Sequence, residues 1–275
     1  MTEFRELIPY ESCPLCGGSR IEPTVRADCS AHPAFAEPLS RTMEWMRCAD
    51  CGHVFRNGFY TPEAFEILFR SSLAGQRVGE DYERQRNIAA AMIERILPLR
   101  KTGIWLDVGF GNASLLLTAA EFGFAPVGFD LRQRNVDALR ALGIQALKAD
   151  ITEATLNPKA SVISMCDVLE HTRFPIPVLQ AAHRNLLPGG ALLLSMPNLD
   201  SPLWKMLDRD GINPYWSEME HFHNFSRASI HRLLESCGFS PVRYGISERY
   251  RACMEILASR GTNGGGVPRD PEKPA

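Results

Sequence analysis

The sequence of 275 residues lacks three features that would point to particular partners or to export. Its formal net charge is only −2, so it has no overall attraction to nucleic acid. No hydrophobic run approaches the roughly 18 apolar residues of a membrane-spanning helix. The first residues, MTEFRELIPYESC, contain no apolar signal-peptide segment. We therefore expect a cytoplasmic protein with no membrane partner.

The glycine-rich turn LDVGFGNAS, residues 106–114, lacks the third glycine of a dinucleotide-binding motif. Gly109 and Gly111 are in place, but Ser114 stands where that motif has its last glycine. Asp107 precedes the glycines, where its charge would repel a pyrophosphate and favour a cation. S-adenosylmethionine carries an ammonium and a sulfonium group and no phosphate, so it suits this turn better than a nicotinamide dinucleotide.

Two further acids end the strands predicted after this turn. Asp130 lies 19 residues after Gly111, where an acid accepts hydrogen bonds from ribose hydroxyls. Asp150 ends the next strand and is placed to meet the adenine amine, with Ile151 beside the ring. These residues, together with Leu131, are the predicted adenosine contacts.

Strands and helices alternate from Gly103 onwards, which is typical of a doubly wound, mostly parallel α/β sheet. The order LDVGFGNAS, VGFD, LKAD, CDVLEH, LLPGGALLLSMPN and SIHRLLESCGF, over about residues 85–258, resembles class I S-adenosylmethionine-dependent methyltransferases. Within these it resembles the zinc-ribbon-containing, Methyltransf_23-like subgroup. The resemblance implies a seven-stranded Rossmann-like sheet and S-adenosylmethionine as the cofactor. Ala113 departs from the family pattern, since many relatives carry glycine there. We add Tyr82 and Asp167 to the predicted cofactor contacts.

Four of the eight cysteines form two Cys-x-x-Cys pairs, each followed by glycine. Cys13 and Cys16 make the first pair, and Cys48 and Cys51 make the second. Four thiolates suit a structural zinc ion with tetrahedral geometry, whereas a redox dithiol would need one pair alone. Cys29 has no partner at metal-ligand spacing, and we expect it to be an ordinary residue.

These patterns divide the chain into four parts. Residues 1–60 are a zinc-binding ribbon that is too small for a core of its own, so zinc should carry its folding. Residues 61–100 are a helical connector, and residues 101–260 are the S-adenosylmethionine-dependent methyltransferase domain. The polar tail, residues 261–275, is expected to be disordered.

Candidate catalytic residues follow the fourth strand of the predicted sheet, in DVLEH, and recur downstream in EMEHFHNFS. The carboxyl end of this strand is the usual ligand edge of such a sheet. His171 or His221 is therefore predicted to act as a general base or to position the acceptor. A purely structural role for His171 is the alternative.

A second divalent-metal site is a further interpretation of the same residues. Asp167, Glu170 and His171 with His221 or His223 form a D-x-x-E-H pattern with a downstream histidine. The pattern resembles the E-x-x-E-H of small-RNA 3′-end 2′-O-methyltransferases and is similar to that of ubiquinone-pathway O-methyltransferases. Mg²⁺ or Mn²⁺ held there would lower the pKa of an acceptor hydroxyl.

The acceptor is the least determined part of the prediction. An irregular stretch, residues 199–225, either forms a lid or acceptor pocket or merely covers the sheet edge; its aromatic residues are Trp204, Tyr215, Trp216, Phe222 and Phe225. We expect O-methylation of a small polar metabolite, with a saccharide as the leading candidate. The alternatives are C-methylation of a nucleotide sugar, RNA methylation, and a non-catalytic interaction protein with this fold.

Overall fold

The computed structural model describes residues 4–72, 76–250 and 252–262, and for residues 69–72 it describes the backbone alone. The tail predicted to be disordered, apart from Gly261 and Thr262, lies outside the described residues. Across the described ranges, no helix is long and apolar enough to cross a membrane.

Five strands build the N-terminal ribbon. They are β1 (Leu7–Pro9), β2 (Ile21–Asp28), β3 (Thr42–Cys48), β4 (Val54–Arg56) and β5 (Gly58–Tyr60). β1 pairs with β5, while β2, β3 and β4 form an antiparallel sheet in that order. Knuckles and turns rich in Cys, Gly and Pro separate β1 from β2, β2 from β3 and β3 from β4.

The ribbon buries an apolar cluster, although the sequence predicts no core for a segment of this size. Trp45 and Tyr60 are fully buried in it, and Cys29 is an ordinary buried member, as expected. Met219 and Phe222, from far along the chain, complete the cluster. The ribbon therefore obtains part of its core from the second half of the molecule.

Two helices connect the ribbon to the main sheet. They are α1 (Pro62–Ser72) and α2 (Tyr82–Glu94). Thr61 caps α1, since its hydroxyl accepts a hydrogen bond of 3.2 Å from the backbone N–H of Ala64. Pro62 occupies the first helical position, where its missing N–H costs nothing.

Alternating strands and helices follow, as the sequence predicts. The strands are β6 (Ile104–Val108), β7 (Ala125–Asp130), β8 (Gln145–Lys148), β9 (Ala160–Cys166) and β10 (Leu186–Pro197). The helices are α3 (Ser114–Glu121), α4 (Gln133–Ala141) and α5 (Pro175–Asn185). Every residue of β9 is buried, which is why its sequence reads as a nearly continuous apolar run.

The stretch 199–225 is more regular than the sequence analysis expects. It contains α6 (Pro202–Arg209), a 3₁₀ turn at Pro214–Trp216 and β11 (His223–Asn224). Ser201 caps α6 by accepting a hydrogen bond from the N–H of Trp204, and Pro202 is the first helical residue. Ser-Pro is a helix-start signal that the sequence analysis did not use.

The chain ends in α7 (Arg227–Ser236), β12 (Phe239–Ile246) and β13 (Cys253–Arg260). The main sheet has seven strands in the order β12-β13-β10-β9-β6-β7-β8. β13 runs antiparallel to both of its neighbours, β12 and β10, and the other neighbouring pairs of these seven strands are parallel. The predicted seven-stranded, mostly parallel sheet is confirmed.

Apolar clusters cover both faces of this sheet. One face packs against α5 and α7, with Leu179 and Leu234 fully buried, and the other packs against α2, α3 and α4, with Ile93 and Leu116 fully buried. Each such side chain contributes about 1.5–3 kcal/mol relative to an exposed one. With both faces covered by helices, the carboxyl edge of the strands is left to form a ligand site.

Candidate functional site

The turn between β6 and α3 holds its backbone in the left-handed region. Gly109 and Gly111 have φ angles of 68° and 54°. A Cβ on Gly109 would lie 2.9 Å from Cγ2 of Val168, so the turn has no room for a side chain there. Ala113 has φ of 61°, a conformation that costs an L-residue about 1–2 kcal/mol.

The end of β7 fixes this turn. The N–H of Gly109 donates to the carbonyl of Phe129 over 2.7 Å, and the N–H of Gly111 reaches Oδ2 of Asp130 over 3.4 Å. The Arg132 guanidinium binds both carboxylate oxygens of Asp130, at 2.8 and 2.7 Å. Asp130 is therefore buried, oriented and paired at the ligand edge.

A cavity of about 640 Å³, the larger cavity, opens beside the turn. The predicted site residues that line it are Asp107, Gly109, Gly111, Asp167, Glu170, His171 and His221. Seven of its lining side chains are Asp or Glu, and two are Arg. The larger cavity therefore favours cationic and neutral polar ligands over polyanions.

A second cavity of about 560 Å³, the smaller cavity, adjoins the first. The predicted adenosine contacts Asp130, Leu131, Asp150 and Ile151 line it. Gly109 and His171 line both cavities, so one ligand can extend from one into the other.

Tyr82 is the predicted cofactor contact that the structure does not bring to either cavity. It begins α2, and its hydroxyl donates a 2.8 Å hydrogen bond to Glu121. The neighbouring Asp81 lines the larger cavity instead.

Asp107 is a buried acid held by a chain of hydrogen bonds. Trp105 Nε1 donates to Ser164 Oγ over 2.8 Å, and Ser164 Oγ donates to Oδ1 of Asp107 over 2.6 Å. Burial raises the pKa of Asp107 to about 7, against the lowering effect of the Ser164 hydrogen bond. A cation bound beside it would restore the charged form.

Glu170, His171 and His221 form a cluster of candidate ligands or bases. One polar atom from each lies within 4.8 Å of the other two. Glu170 is 1% exposed, and neither of its carboxyl oxygens has a hydrogen-bond partner in the described part of the chain. Burial, reinforced by the nearby Asp167, raises the pKa of Glu170 well above its usual value. A cation or a hydrogen-bond donor bound to Glu170 would offset the cost of burying its carboxyl group.

The two histidines of this cluster are held differently. His171 Nδ1 donates to the carbonyl of Glu220 over 3.1 Å, which leaves Nε2 as the basic nitrogen. The rings of His171 and His221 meet edge to face, with centroids 4.6 Å apart. Burial and the neighbouring His171 lower the pKa of His221 to about 3. His221 is consequently neutral at neutral pH.

Two other residues of the predicted metal site have different partners and lie outside the cluster. His223 is fully buried, and its Nδ1 lies 3.1 Å from Nε2 of His53 while its Nε2 donates to Thr172 O over 3.0 Å. Asp167 lies 3.3 Å from Nη2 of Arg249 and is not part of the cluster. The structure therefore brings His221, not His223, to Glu170 and His171.

His221 lies on a segment that bridges the sheet and the ribbon, here called the bridging loop, residues 216–224. Trp45 Nε1 donates to the carbonyl of Trp216 over 2.8 Å, and β11 pairs with β4 of the ribbon. On its other side, the N–H of Phe222 donates to the carbonyl of Glu170 over 2.8 Å.

The aromatic residues of the stretch 199–225 have different roles: some line a cavity, and others only cover the edge of the sheet. Tyr215 lines the larger cavity and Phe222 lines the smaller one. Trp204 and Phe225 are buried in packing, and Trp216 stacks edge to face against Trp45. The sequence analysis did not identify several residues that line the larger cavity, because no motif marks them: Gln76, Glu80, Asp81, Arg84, Gln85, Arg249 and Tyr250.

The four cysteines of the two Cys-x-x-Cys pairs converge in the ribbon. Their sulfurs all lie within 4.8 Å of one another, with Cys13 and Cys51 3.7 Å apart and Cys16 and Cys48 3.6 Å apart. Zn–S bonds of 2.3 Å in a tetrahedron place sulfurs about 3.8 Å apart. The geometry therefore fits a four-thiolate zinc ion.

Comparison with known families gives one match. The family model Methyltransf_23, described as a methyltransferase domain, matches residues 81–244, which is more than half of the chain. No curated protein matches the sequence.

Solved structures share the fold at low sequence identity. Magnesium protoporphyrin IX methyltransferase from Synechocystis PCC 6803, with bound SAH, is 19% identical with a TM-score of 0.52, covering 73% of this chain and 95% of that one. The 1,6-didemethyltoxoflavin-N1-methyltransferase of Burkholderia thailandensis, with bound 1,6-didemethyltoxoflavin and S-adenosylhomocysteine, is 16% identical with a TM-score of 0.54, covering 78% and 97%. At these identities the likeness shows the fold alone.

Proposed function

This chain belongs to the class I S-adenosylmethionine-dependent methyltransferases, and we propose that it methylates a hydroxyl group of a small polar metabolite, with a saccharide as the leading candidate. The observation that carries the proposal is the cluster of Glu170, His171 and His221, which lines the same cavity as the glycine turn. Transfer to a hydroxyl needs a group that takes or acidifies its proton, and this cluster supplies such groups.

The two adjoining cavities support a placement for the cofactor. The adenosine would lie in the smaller cavity, with its ribose against Asp130 and its adenine near Asp150 and Ile151. The methionine would extend past Gly109 into the larger cavity, where Asp107 offers a partner for its ammonium. The sulfonium methyl would then face the cluster, as an in-line displacement requires.

His171 is the better candidate for a general base. Its Nδ1 donates to a backbone carbonyl, so Nε2 is the nitrogen that can accept the acceptor's proton. His221 has its pKa lowered to about 3 by burial and by His171, and is therefore a weak base that accepts hydrogen bonds. In this mechanism His221 orients the hydroxyl and His171 removes its proton.

A divalent ion is the alternative use of the same cluster. The buried, unpartnered carboxyl of Glu170 favours it, because such a group is costly unless it meets a cation. One carboxylate and two imidazoles suit Mn²⁺ better than Mg²⁺, which prefers oxygen ligands. When bound, the ion would lower the pKa of the acceptor hydroxyl. Glu170, His171 and His221 would hold it.

The ribbon is proposed to carry one structural zinc ion. Cys13, Cys16, Cys48 and Cys51 fill all four tetrahedral positions, so no position is open for catalysis. Its role would be structural, acting through the fold of the ribbon.

The acidic lining of the larger cavity disfavours two alternatives. A nucleotide sugar or an RNA carries phosphates, which the lining carboxylates of Glu80, Asp81, Glu218 and Glu220, against two arginines, would repel. A neutral polyol meets no such penalty.

The test combines binding with product analysis. Calorimetry should show micromolar binding of S-adenosylmethionine and S-adenosylhomocysteine. Mass spectrometry should then find methyl groups on oxygen when saccharides and other hydroxylated metabolites are supplied, and none on matched deoxy compounds. Methylation confined to carbon or nitrogen would remove the hydroxyl acceptor from the proposal. Absence of cofactor binding would favour a non-catalytic interaction protein.

A further inference from the structure

The N-terminal ribbon contacts the wall of the larger cavity through the side chain of His32. His32 Nε2 donates to Oε1 of Glu218 over 2.6 Å, and Glu218 lines the larger cavity. The two residues are 186 positions apart in the sequence. A hydrogen bond from the ribbon thus ends on the wall of the proposed acceptor site.

The tautomer of His32 is set by its own turn. Its Nδ1 accepts a 3.1 Å hydrogen bond from the backbone N–H of Ala34, so Nε2 carries the proton of the neutral ring. Nε2–H therefore points at Glu218 without any need for the ring to be charged. The side chains of His32 and Glu218 are 13% and 32% exposed, so water competes only partly for the bond.

Other ribbon contacts hold the same loop by its backbone. Tyr60 donates from its hydroxyl and Arg56 from Nη1 to the carbonyl of Met219, over 3.1 and 3.3 Å. The N–H of Arg56 donates to the carbonyl of Phe222 over 2.9 Å. These contacts bracket His221, whose N–H donates to the carbonyl of Glu218 over 3.2 Å.

We propose that His32 is a positioning residue for methyl transfer: by binding Glu218 it fixes the bridging loop and so sets the place of His221 beside His171. The inference rests on the proposed function, because it assumes that His221 faces the transferred methyl group. The ribbon is then part of the acceptor site, and not only an independently folded attachment to it.

Two substitutions at one position separate the contact from the fold of the turn. His32→Gln keeps a donor at the position of Nε2 and can still reach Glu218. His32→Asn keeps a polar atom near the position of Nδ1, where it can accept from Ala34, but is too short for Glu218. The two variants therefore differ chiefly in the link to the loop.

Hydrogen exchange reports on the bridging loop and can be measured before the methyl acceptor is identified. In the zinc-loaded full chain, the amides of His221 and Phe222 should exchange about 10-fold faster in His32→Asn than in wild type, since a hydrogen bond to a charged group is lost. In His32→Gln they should stay within about 3-fold. The amide of Gly109 in the main sheet should be unchanged in both variants, as should the affinity for S-adenosylhomocysteine.

A double-mutant cycle with Glu218→Ala makes the test specific. Adding His32→Asn to Glu218→Ala should give no further increase in exchange, because the partner is already absent. With an acceptor in hand, His32→Asn should lower kcat with little effect on the cofactor KM, and His32→Gln should restore it.

Equal exchange at His221 and Phe222 in the Asn and Gln variants would overturn the inference. If wild-type protein binds no S-adenosylmethionine, the proposed function fails instead, while the exchange result still decides whether His32 holds the loop.

Discussion

The two halves of the site are built in different ways. On the cofactor side, Asp107, Gly109 and Gly111 lie within five residues of one another, and Asp130 ends the adjacent strand. On the acceptor side, Glu170 and His171 follow a strand of the same sheet, but His221 is held by the ribbon. Cofactor contacts are therefore a local property of the sheet, whereas the acceptor contacts depend on packing between distant parts of the chain.

This difference predicts that the two halves can be disabled separately. Unfolding of the ribbon should make the bridging loop, which carries His221, more mobile. It should leave the affinity for the cofactor unchanged. Substitutions at the strand ends should weaken binding of the cofactor and leave the bridging loop in place.

Removal of zinc should give the largest effect. Structural zinc contributes about 10–16 kcal/mol of apparent binding free energy in small domains. Cys48→Ser should therefore abolish the bound zinc, expected at about one ion per chain, and raise hydrogen exchange across the ribbon and the bridging loop. Affinity for S-adenosylhomocysteine, measured by calorimetry, should change by less than about 3-fold.

Cys29→Ser is the matched control, because Cys29 is buried in the ribbon but is not one of the four clustered sulfurs. It should keep the zinc. A zinc-free Cys48→Ser protein whose ribbon remains protected from exchange would rule out a structural role for the metal.

Replacement of the clustered histidines should give the next largest effect. His171→Ala and His221→Ala should each lower turnover by about 10²–10⁴, the usual contribution of a positioned acid or base. Cofactor affinity should be nearly intact. His231→Ala, on α7 and outside the cluster, is the control and should retain full turnover.

A chelator distinguishes the two mechanisms that this cluster allows, provided that the ribbon zinc is retained. Activity that falls and returns with Mn²⁺ identifies Glu170, His171 and His221 as ligands. Activity indifferent to the chelator leaves His171 as the base. Turnover unchanged in both alanine variants would place the chemistry elsewhere.

Loss of the ribose contact should have a smaller effect. Asp130→Ala should weaken S-adenosylmethionine binding by about 1.5–3 kcal/mol, the range for a hydrogen bond to a charged group. Asp137→Ala on the exposed side of α4 serves as the control and should bind normally. Unchanged affinity in Asp130→Ala would contradict the placement of the ribose.

The smallest predicted effect concerns pH. Burial raises the pKa of Asp107 to about 7, so a fraction of the free protein is protonated there below neutral pH. The cofactor's ammonium favours the ionised form, so affinity should fall as pH drops below 7, by about 10-fold between pH 8 and pH 6. Calorimetry across this range measures it, and Asp107→Asn should remove the dependence. A flat profile in wild type would mean that Asp107 does not meet the ammonium.

The sequence predicts the cofactor half well because its determinants are local. The strand, the glycine turn and the acid at the next strand end are encoded within about 25 residues, and each has a periodicity or a motif. The spacing of Cys13, Cys16, Cys48 and Cys51 likewise predicts their convergence.

The sequence does not predict those parts of the acceptor side of the site that depend on contacts between distant segments of the chain. His53 lies 170 positions from His223, and no motif indicates that it would occupy the Nδ1 of that histidine. His32 and Arg249 carry no motif, and they reach the cavity wall only through the folding of remote segments. The helix at Pro202–Arg209 is different, because Ser201 and Pro202 do signal it.

A crystal structure with S-adenosylhomocysteine bound tests the central claim most directly. The account predicts that the adenosine lies in the smaller cavity against Asp130 and Asp150, and that the sulfur in the larger cavity faces His171 and His221. A sulfur that faces away from these histidines, or a cofactor bound outside the two cavities, would contradict it.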